Sequence, residues 1–533
     1  MAPWPSGSKT PRPFIPVSKH FMEPSAGKIY LVGAGPGDPG LLTRRAWELI
    51  TTAEVIVYDY LVNEALLADA PALCERIYVG KQAGFHAVSQ EDIEAILVDR
   101  VQTGKRVVRL KGGDPFIFGR GGEEARRLAE AGLPFEIVPG ITAALAAAAY
   151  AGIPLTHRDH SSSLCLLTGH ENPEKEALQV NFRDYAQLGG TLCIYMGMGN
   201  LDFITRELMA GGLAADTPAT VVEWATLPRQ RSVSGTLSNL FERVEAAGLH
   251  APAMIYVGSV ACFQPNIDWF VARPLSAKRI VVTRATEQAG RLRRLLEEAG
   301  AEVLELPLIR IEPIPEPERG SEILEALGEY DWLIFTSENG VRCFFDLFFE
   351  QFEDLRSLGF LKLAAVGQTT ARALADYHLK VDLVPETAQA EALAAALIER
   401  EDLASTKSLV ITGNRNGDVL VEKMESVGAI VDTLTVYKTE LTGLSEDSAA
   451  QRFRELGADM VVFASTSAVE SFAAQAASLA LGENARRPQA ASIGPMTSAA
   501  IKKLGLPLAV QAEEARLESL VQALVDYSKA ADD

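Results

Sequence analysis

Residues 28–43 read KIYLVGAGPGDPGLLT, and this stretch sets the fold of the first half of the chain. Its apolar run enters a glycine-rich turn and leaves through a leucine-bearing segment that favours a helix. This is the strand–turn–helix entry at which α/β proteins hold nucleotides. Glycines alternate from Gly33 to Gly37, but Asp38 stands where a dinucleotide-binding fingerprint has its third glycine. Because a carboxylate at a helix N-terminus opposes phosphate binding, the turn predicts a nucleotide-like ligand without phosphates.

The composition is that of a large, acidic, globular protein. The chain has 533 residues, which is too long for one hydrophobic core and indicates roughly two to four domains. Its formal charge of −20 argues against nucleic-acid or anionic-membrane partners, although a small anionic substrate needs only a local basic pocket. The five cysteines are scattered and form no CxxC pair. We therefore expect free thiols in a reducing cytoplasm, and neither a disulfide nor a metal site.

No stretch of the sequence has the character of a membrane span or a secretory signal. The alanine-rich run after Thr142 is shorter than the ~20 apolar residues that a bilayer requires, and it predicts a packed helix. Residues 1–27 are rich in Pro and Ser and lack an uninterrupted apolar core. They are interpreted as a disordered leader.

The first half alternates short β-branched runs with longer segments rich in Ala, Leu and Glu, from residue 28 to about 272. Such alternation predicts a largely parallel sheet with ligands at the carboxyl ends of its strands. After about residue 140 the runs contain more strands and fewer helices, which predicts a second lobe with a mixed sheet. The expected lobes are 28–139 and 140–270, and residues 273–277 are the expected linker.

The second half, 278–533, restarts the alternation and contains an internal duplication. DWLIFTSENGVRCF, at 331–344, parallels DMVVFASTSAVESF, at 459–472, and LAAVGQTTARAL parallels ASIGPMTSAAIKKL. Each copy has a strand, a Ser/Thr-rich turn and a helix, so two similar α/β lobes with a cleft are expected rather than a solenoid. We expect one lobe over 278–311 plus 440–533 and the other over 316–436.

A second glycine loop, VVRLKGGDPFIFGRGGEE at 107–124, follows a predicted strand. Its glycine pair lets a ligand approach the backbone closely. Arg109, Lys111 and Arg120 concentrate positive charge around it. Taken alone, a GGDP turn fits a purely structural role equally well.

These two loops and the block VPGITAALAAAAYAGIPLTHRDH at 138–160 resemble the uroporphyrinogen-III C-methyltransferases, the enzymes that make precorrin-2. The resemblance covers residues 28–270. It implies a two-lobed α/β tetrapyrrole-methylase domain that binds S-adenosylmethionine (SAM) between its lobes as methyl donor, and a homodimer formed through this half. The positions that match the family's SAM contacts are Pro36, Gly112, Gly113, Asp114, Ile117, Thr142, Ala143, Met196 and Ala225. Ala225 stands where relatives often carry glycine.

Methyl transfer to a pyrrole carbon is an in-line displacement, so positioning supplies much of the acceleration. The ring must then lose a proton, which gives an acid/base pair a role. The family's proposed pair corresponds to Asp59 and Lys81. Without the resemblance, a turn-forming carboxylate and a solvated lysine are the favoured interpretation of these two residues, and the resemblance reverses that preference.

The acceptor implied by the resemblance is a macrocycle with eight carboxylates, which requires local positive charge. The THRDH cluster is shared with the family, although histidines in such a cluster are also common as structural residues. The candidate substrate-binding residues of this half are Arg109, Lys111, Arg120, His157 and Arg158.

The second half resembles uroporphyrinogen-III synthase more loosely, over residues 278–527, which implies a two-lobed α/β synthase-like domain. That enzyme closes hydroxymethylbilane while inverting its last ring, and it is expected to use few strongly catalytic side chains. Tyr437 matches the tyrosine suggested to assist loss of the hydroxyl, and it fits a packed aromatic role equally well. The candidate substrate-binding residues at strand ends are Thr283, Arg284, Ser337 and Ser465. The usual glycine–arginine turn reads TGNRNGD from residue 412, so its arginine is displaced or absent.

Together the resemblances imply a fused enzyme in which the product of the second half is the substrate of the first. Two alternatives stay open. A nicotinamide dehydrogenase would use the first glycine loop, but Asp38 and the second glycine loop argue against it. A regulatory protein would keep an active methyltransferase half and use the synthase-like half only to sense a ligand, which the divergent TGNRNGD turn allows.

Overall fold

The computed structural model describes residues 27–80, 89–170, 180–283, 286–306, 308–315, 319–415, 417–445 and 447–532. The chain divides into two compact units, and the division falls between Ala277 and Lys278. The expected leader, apart from Gly27, lies outside the described residues. In the ranges given above, every helix is too short or too polar to span a membrane.

The first lobe of unit one is built on a five-stranded parallel sheet. Its strands are β1 (Lys28–Gly33), β2 (Val55–Tyr58), β3 (Glu75–Tyr78), β4 (Arg106–Lys111) and β5 (Phe135–Val138), and its helices are α1 (Arg44–Ile50), α2 (Gln90–Gln102) and α3 (Gly121–Glu130). The order β3-β2-β4-β1-β5 places β4 at the centre, between β2 and β1. Both faces of these strands are buried, as the continuous apolar runs predict for a parallel sheet.

The second lobe of unit one has a mixed sheet, as predicted. Its strands are β6 (Leu164–Thr168), β7 (Thr191–Tyr195), β8 (Pro218–Glu223), β9 (Arg231–Thr236) and β10 (Ala253–Val257), and its helices are α4 (Ala143–Tyr150), α5 (Phe182–Tyr185), α6 (Leu201–Ala210), α7 (Leu240–Ala247) and α8 (Gln264–Ile267). The order is β6-β7-β10-β8-β9, and only β6 and β7 are parallel. Helix α4 packs its alanines on β7 and β10, because small side chains allow close approach.

Unit two is also an assembly of two sheets. Its strands are β11 (Arg279–Val282), β12 (Glu302–Glu305), β13 (Ile309–Pro313), β14 (Trp332–Phe335), β15 (Lys362–Ala365), β16 (Lys407–Gly413), β17 (Ile430–Leu441), β18 (Met460–Phe463), β19 (Gln489–Ser492) and β20 (Leu508–Gln511). Its helices are α9 (Thr286–Glu298), α10 (Gly320–Glu325), α11 (Glu338–Gln351), α12 (Gln368–Asp376), α13 (Ala390–Arg400), α14 (Val419–Glu425), α15 (Ser448–Leu456), α16 (Thr466–Ala474), α17 (Pro495–Lys503) and α18 (Leu517–Asp532).

The chain passes from the first sheet of unit two to the second and returns. One sheet has the order β12-β11-β18-β19-β20 and the other β13-β17-β16-β14-β15. The boundary expected at residue 311 therefore needs correction. Strand β13 pairs antiparallel with β17, so it belongs to the second lobe, and the crossing falls between β12 and β13. Both β12 and β13 lie in the single apolar run AEVLELPLIRIEP, and this continuous apolar character hides the crossing.

The duplicated segments form the same local structure in the two sheets, although β14 lies next to an edge strand and β18 is a central strand. Ser337 follows β14 and caps α11, while Ser465 follows β18 and caps α16. Their backbone angles agree closely, with φ of −160° and −161°. Each serine hydroxyl accepts a hydrogen bond from the amide three residues on, at 3.0 Å in Gly340 and 3.2 Å in Ala468. This side-chain cap satisfies a helix-terminal amide and starts both helices in the same way.

Candidate active sites

Three glycines let the ends of β1, β4 and β5 meet in the first lobe. A Cβ on Gly33 would lie 2.5 Å from the Gly140 nitrogen, and one on Gly140 would lie 2.2 Å from the Gly113 oxygen. Gly35 and Gly113 exchange backbone hydrogen bonds of 3.2 and 2.6 Å. Since any side chain here would push the strands apart, glycine fixes the carboxyl edge of the sheet.

The loop after β4 is shaped by Asp114. Its Oδ1 accepts a hydrogen bond from the Phe116 amide at 2.8 Å, and its Oδ2 accepts one from the Gly140 amide at 3.0 Å. A Cβ on Gly112 would lie 2.7 Å from that of Leu61, so this loop lies against the turn after β2. Both carboxylate oxygens of Asp114, which is a predicted SAM contact, therefore hold the loop in place.

Predicted cofactor positions from three separate segments come together on one apolar cluster. Ile117, Ala143 and Ala225 all pack against the residues of α4, β7 and β10. At the start of α4 the Thr142 hydroxyl lies 2.6 Å from the Tyr195 hydroxyl, which also accepts the Ala144 amide at 3.1 Å. The structure thus joins positions more than one hundred residues apart in the sequence.

Backbone strain is concentrated at strand ends around this cluster. Met196 follows β7 with φ of 54° and is half exposed. The turn after β8 contains Trp224 at 45° and Thr226 at 69°, which flank Ala225. Phe118 and Arg120, in the loop after β4, have φ of 53° and 58°. Side chains other than glycine rarely adopt such angles, and residues that do so cluster at functional sites.

Pro36 lies in the first glycine loop, half-buried between Gly35 and Gly37. The flanking glycines have φ of 74° and 144°, which few other residues tolerate. The Asn63 amide side chain donates to the Gly37 carbonyl at 2.7 Å. This hydrogen bond fixes the glycine loop to the segment that follows β2.

Asp59 directly follows β2 and joins a largely buried charge network. Its Oδ2 accepts a hydrogen bond from the Arg109 guanidinium at 3.1 Å, and its Oδ1 accepts one from the Leu61 amide at 3.2 Å. Glu124, on α3, accepts from Lys111 Nζ at 2.7 Å and from Arg109 Nε at 3.4 Å. The side chain of Asp59 is 27% exposed, whereas that of Glu124 is fully buried. Asp59 is therefore the member of this network that solvent can reach.

The network changes the role expected for Arg109 and Lys111. Both residues are buried, and burial lowers the pKa of the Lys111 ammonium group. They pair with Glu124 and Asp59, so they hold internal carboxylates instead of offering charge to a substrate. The Glu124 Oε2 atom has no protein partner. Their sequence neighbours gave no sign of this burial, because the partner carboxylates lie 13 to 50 residues away.

The remaining candidates of the first unit differ in exposure. Arg120 is exposed and pairs with Glu123, and Arg158 is exposed. His157 is partly buried, with its ring 4.9 Å from that of His160 and 5.0 Å from that of Phe263. Lys81 lies outside the described residues.

In unit two, Tyr437 and Ser337 form a compact pair. Their hydroxyl oxygens lie 3.0 Å apart, and Tyr437 is only 6% exposed. A Cβ on Gly413 would lie 2.4 Å from the Tyr437 ring, so glycine makes room for this phenol. Burial raises the pKa of Tyr437. The phenol therefore stays protonated at neutral pH and can donate a hydrogen bond.

Thr283 and Ser465 lie on the other sheet, at the ends of the neighbouring strands β11 and β18. Thr283 is buried and donates its hydroxyl hydrogen bond to the Val462 carbonyl at 3.0 Å. Ser465 is exposed at the start of α16, with its oxygen 3.0 Å from that of Ser467. Arg284 lies outside the described residues. Of these candidates, Ser465 is therefore the accessible hydroxyl.

Comparison with known proteins assigns both units. Residues 28–240 match the family of tetrapyrrole (corrin/porphyrin) methylases, and residues 290–522 match uroporphyrinogen-III synthase HemD. A protein of Ruminiclostridium josui named "Porphyrin biosynthesis protein HemD" is 38% identical over 94% of this chain and 98% of its own length. The chain belongs to the tetrapyrrole methylases fused to uroporphyrinogen-III synthase. The two resemblances predicted from the sequence are confirmed.

Two further relatives cover the methylase half alone. A Methanosarcina barkeri protein named "S-adenosyl-L-methionine-dependent uroporphyrinogen III methyltransferase" is 50% identical over 45% of this chain and 94% of its own length. A Thermus thermophilus uroporphyrin-III C-methyl transferase, crystallised with S-adenyl homocysteine, is 39% identical over 44% of this chain and 99% of its own. The TM-score of that structure is 0.38.

The divergent turn of the synthase half closes onto β17. The Asn414 carboxamide oxygen accepts a hydrogen bond from the Thr439 amide at 2.8 Å, and the Asn414 amide donates to the Tyr437 carbonyl at 3.2 Å. Arg415 is exposed, and residue 416 lies outside the described part of the chain. Asn414 therefore helps to hold the strand that carries Tyr437.

Several residues of the methylase cleft were missed by the sequence analysis. Glu124 lies on the face of α3 that also carries Leu128, and a lone carboxylate on an apolar helix face is a usable signal of a buried charge pair. Tyr150 and Thr226 carry no local signal, because their partner is Asp38 in the other lobe. In the described ranges, no three His, Cys, Asp or Glu side chains are grouped to hold a metal ion. None of the five cysteines, all of which lie in the described ranges, forms a disulfide.

Proposed function

We propose that the methylase half transfers methyl groups from SAM to C2 and C7 of uroporphyrinogen III, giving precorrin-2. The observation that carries this proposal is the convergence of Ile117, Ala143 and Ala225 on one apolar cluster, next to strained strand ends. Backbone groups and apolar walls suit a sulfonium nucleoside better than a phosphate-bearing nucleotide. The nicotinamide alternative loses support because the Asp38 carboxylate caps the N-terminus of the short helical turn at 39–41, where a pyrophosphate would bind.

SAM, when bound, supplies an electrophilic methyl group for in-line displacement. The chain's contribution is to fix donor and acceptor in line, which the glycine junction and the rigid loop around Asp114 support. Asp59 is the proposed base that takes the proton lost from the methylated ring, with Lys81 as its partner. Arg109 holds the Asp59 carboxylate from the buried side, so the carboxylate has one defined orientation.

The proposed acceptor carries eight carboxylates, and the exposed cationic residues of this half are suited to bind them. Arg120, His157 and Arg158 keep their proposed role in substrate binding. Arg109 and Lys111 become positioning residues, because both side chains are buried in ion pairs. The methylase half is also the proposed site of homodimerisation, which predicts a particle of twice the 57.4 kDa chain mass in light scattering.

We propose that the synthase half cyclises hydroxymethylbilane to uroporphyrinogen III with inversion of the last ring, which makes it a lyase. The Tyr437 phenol assists loss of the substrate hydroxyl by donating a hydrogen bond to it. The C–O bond breaks, the hydroxyl takes a proton from solvent and leaves as water, and ring closure returns one proton to solvent. Ser337 orients that phenol through their 3.0 Å contact. Ser465 and Arg284 are proposed to bind substrate carboxylates, whereas Thr283, whose buried hydroxyl donates to the Val462 carbonyl, becomes a positioning residue.

Purified full-length protein given hydroxymethylbilane tests both proposals. Without SAM we expect uroporphyrinogen III, and with SAM we expect precorrin-2 with two transferred methyl groups per macrocycle. Formation of uroporphyrinogen I alone would overturn the synthase proposal and favour a ligand-sensing role for that half. Transfer of one methyl group only, with uroporphyrinogen III supplied directly, would overturn the double methylation.

A further inference from the structure

Four hydrogen bonds form a closed ring between the two lobes of the methylase half. The Tyr150 hydroxyl donates to Asp38 Oδ2 at 2.7 Å, and the Asp38 amide donates to the Thr226 hydroxyl at 3.0 Å. The Thr226 amide donates to Gln230 Oε1 at 2.8 Å. The Gln230 side-chain amide closes the ring by donating to the Tyr150 carbonyl at 3.2 Å. Asp38 is thus the first-lobe member of a ring whose other members lie in the second lobe.

The ring is partly shielded from water, since Asp38 and Tyr150 are half-buried and the other two members are buried. Thr226 and Gln230 are each 2% exposed. The Tyr150 ring packs against Trp269 and Phe270, at centroid distances of 5.1 and 4.8 Å. Hydrogen bonds in such surroundings are stronger than those in contact with solvent, and the loss of one member leaves its partner unsatisfied. Burial and the adjoining Asp38 carboxylate raise the pKa of Tyr150, so its hydroxyl keeps its proton and donates.

The ring connects two segments that carry proposed cofactor contacts. Asp38 lies two residues after Pro36 in the glycine loop, and Thr226 directly follows Ala225. Thr226 has a φ of 69°, which is unfavourable for a β-branched residue and persists only when neighbouring contacts enforce it. A Cβ on Gly37 would lie 3.0 Å from the Leu227 side chain, so the two segments are in close contact.

We propose that Asp38 is a positioning residue that, with Tyr150, Thr226 and Gln230, sets the separation of the two cofactor-binding walls at Pro36 and Ala225. The proposal rests on the function proposed above, that this cleft binds SAM. Glycine at position 38 would lack the carboxylate that accepts from Tyr150. The aspartate that departs from the dinucleotide fingerprint therefore has a constructive role, in addition to opposing phosphate.

Tyr150→Phe tests the proposal, because it removes one hydroxyl and keeps the ring that packs on Trp269 and Phe270. Calorimetric titration of the full chain with S-adenosylhomocysteine should show roughly tenfold weaker binding. The KM for SAM should rise by a similar factor, while kcat at saturating SAM falls less. If the hydrogen bond only stabilised the fold, Tyr150→Phe would lower the unfolding midpoint without raising the KM for SAM more than it lowers kcat. Tyr185→Phe is the matched control, because Tyr185 packs on the core of the second lobe behind its sheet.

A second pair of variants separates the hydrogen bond from the shape of the side chain. Thr226→Ser keeps the hydroxyl that accepts from the Asp38 amide, so it should bind S-adenosylhomocysteine as tightly as the wild type. The isosteric Thr226→Val lacks that hydroxyl and should bind it more weakly. Asp38→Ala combined with Tyr150→Phe should weaken binding less than the product of the single effects, because the two changes remove one shared hydrogen bond.

The outcomes distinguish the two levels of the proposal. Wild-type protein that does not bind S-adenosylhomocysteine would overturn the proposed cofactor and the ring's role with it. Wild-type protein that binds, with Tyr150→Phe and Thr226→Val both binding as tightly as Tyr185→Phe, would overturn the ring's role alone.

Discussion

The clefts of the two halves differ in where their backbone is strained. In the methylase half, Met196 and Trp224 adopt positive φ directly after strands of the sheet, and Thr226 does so two residues after Trp224. In the described residues of the synthase half, the corresponding non-glycine positions are Arg319 and Ser405, which precede α10 and β16, and His378, which follows α12. The strain therefore lies at the proposed site in the first half and away from it in the second.

This difference matches the chemistry proposed for each half. Methyl transfer needs two reactants in line, and a rigid backbone held by hydrogen bonds and buried charges maintains such a geometry. Ring closure of a long, flexible substrate needs hydroxyl and amide donors that fold it, which capped helix starts such as those at Ser337 and Ser465 supply. Backbone strain at the proposed methylase site thus fits exact placement of two reactants. Its absence at the proposed synthase site fits binding of the substrate by many separate donors.

The largest expected effect concerns the buried charges of the methylase half. Glu124→Gln leaves Arg109 and Lys111 without their shared carboxylate, and loss of a buried ionic partner costs about 3 kcal/mol or more. We expect a decrease of that size in the free energy of unfolding, measured by urea denaturation of the full chain. Glu130→Gln, at the exposed end of the same helix, is the control and should change little. Equal effects of both variants would show that the network contributes no special stability.

The next effect is on methylation itself. Asp59→Asn should lower the methylation rate by roughly 100-fold or more, because the proton lost from the ring has no base to accept it. Binding of S-adenosylhomocysteine should be nearly unchanged. Asp216→Asn, at an exposed turn, is the matched control. If Asp59→Asn turned over at the control rate, Asp59 would have no part in the chemistry.

A smaller effect is expected in the synthase half, where catalysis is proposed to depend on fewer groups. Tyr437→Phe should lower the rate of uroporphyrinogen III formation about tenfold through loss of one hydrogen bond. Tyr377→Phe, in the aromatic cluster around α11, serves as the control. A loss as large as that of Asp59→Asn would instead make the two halves equally dependent on a single group, and the contrast between them would fail.

The smallest effect is a pH dependence. Burial raises the pKa of Tyr437 above its ordinary value of 10.0, so the folded state binds a proton that the unfolded state releases as the pH rises past 10. The stabilising contribution of this group is complete below pH 10.0 and is lost as the pH rises towards the folded pKa. Unfolding midpoints measured across this alkaline range should fall less steeply for Tyr437→Phe than for the wild type. Identical slopes would contradict the burial of a neutral phenol.

Much of the fold could be predicted because its signals are local. The β-branched runs predicted β1 and β4, which lead into the glycine turns at Gly33 and Gly113. The duplicated Ser/Thr-rich turns predicted similar helix starts, which the structure has at Ser337 and Ser465. The crossing between β12 and β13 was missed, since an apolar run looks the same whether it continues one strand or joins two sheets. The burial of Arg109 was missed because the sequence shows that a cation is present but does not show which carboxylate it pairs with in the fold.

The sequence by itself determined the strand–turn–helix units, the two families and the ligand class, because short motifs and side-chain periodicity carry those signals within a few residues. Only the tertiary structure decided what Asp38 does. In the sequence its carboxylate marks a departure from a dinucleotide fingerprint, whereas in the fold it meets Tyr150, 112 residues away, and its amide meets Thr226, 188 residues away. Hydrogen bonds require contact in space, and contacts between lobes over such separations exist only once both sheets have formed and packed together.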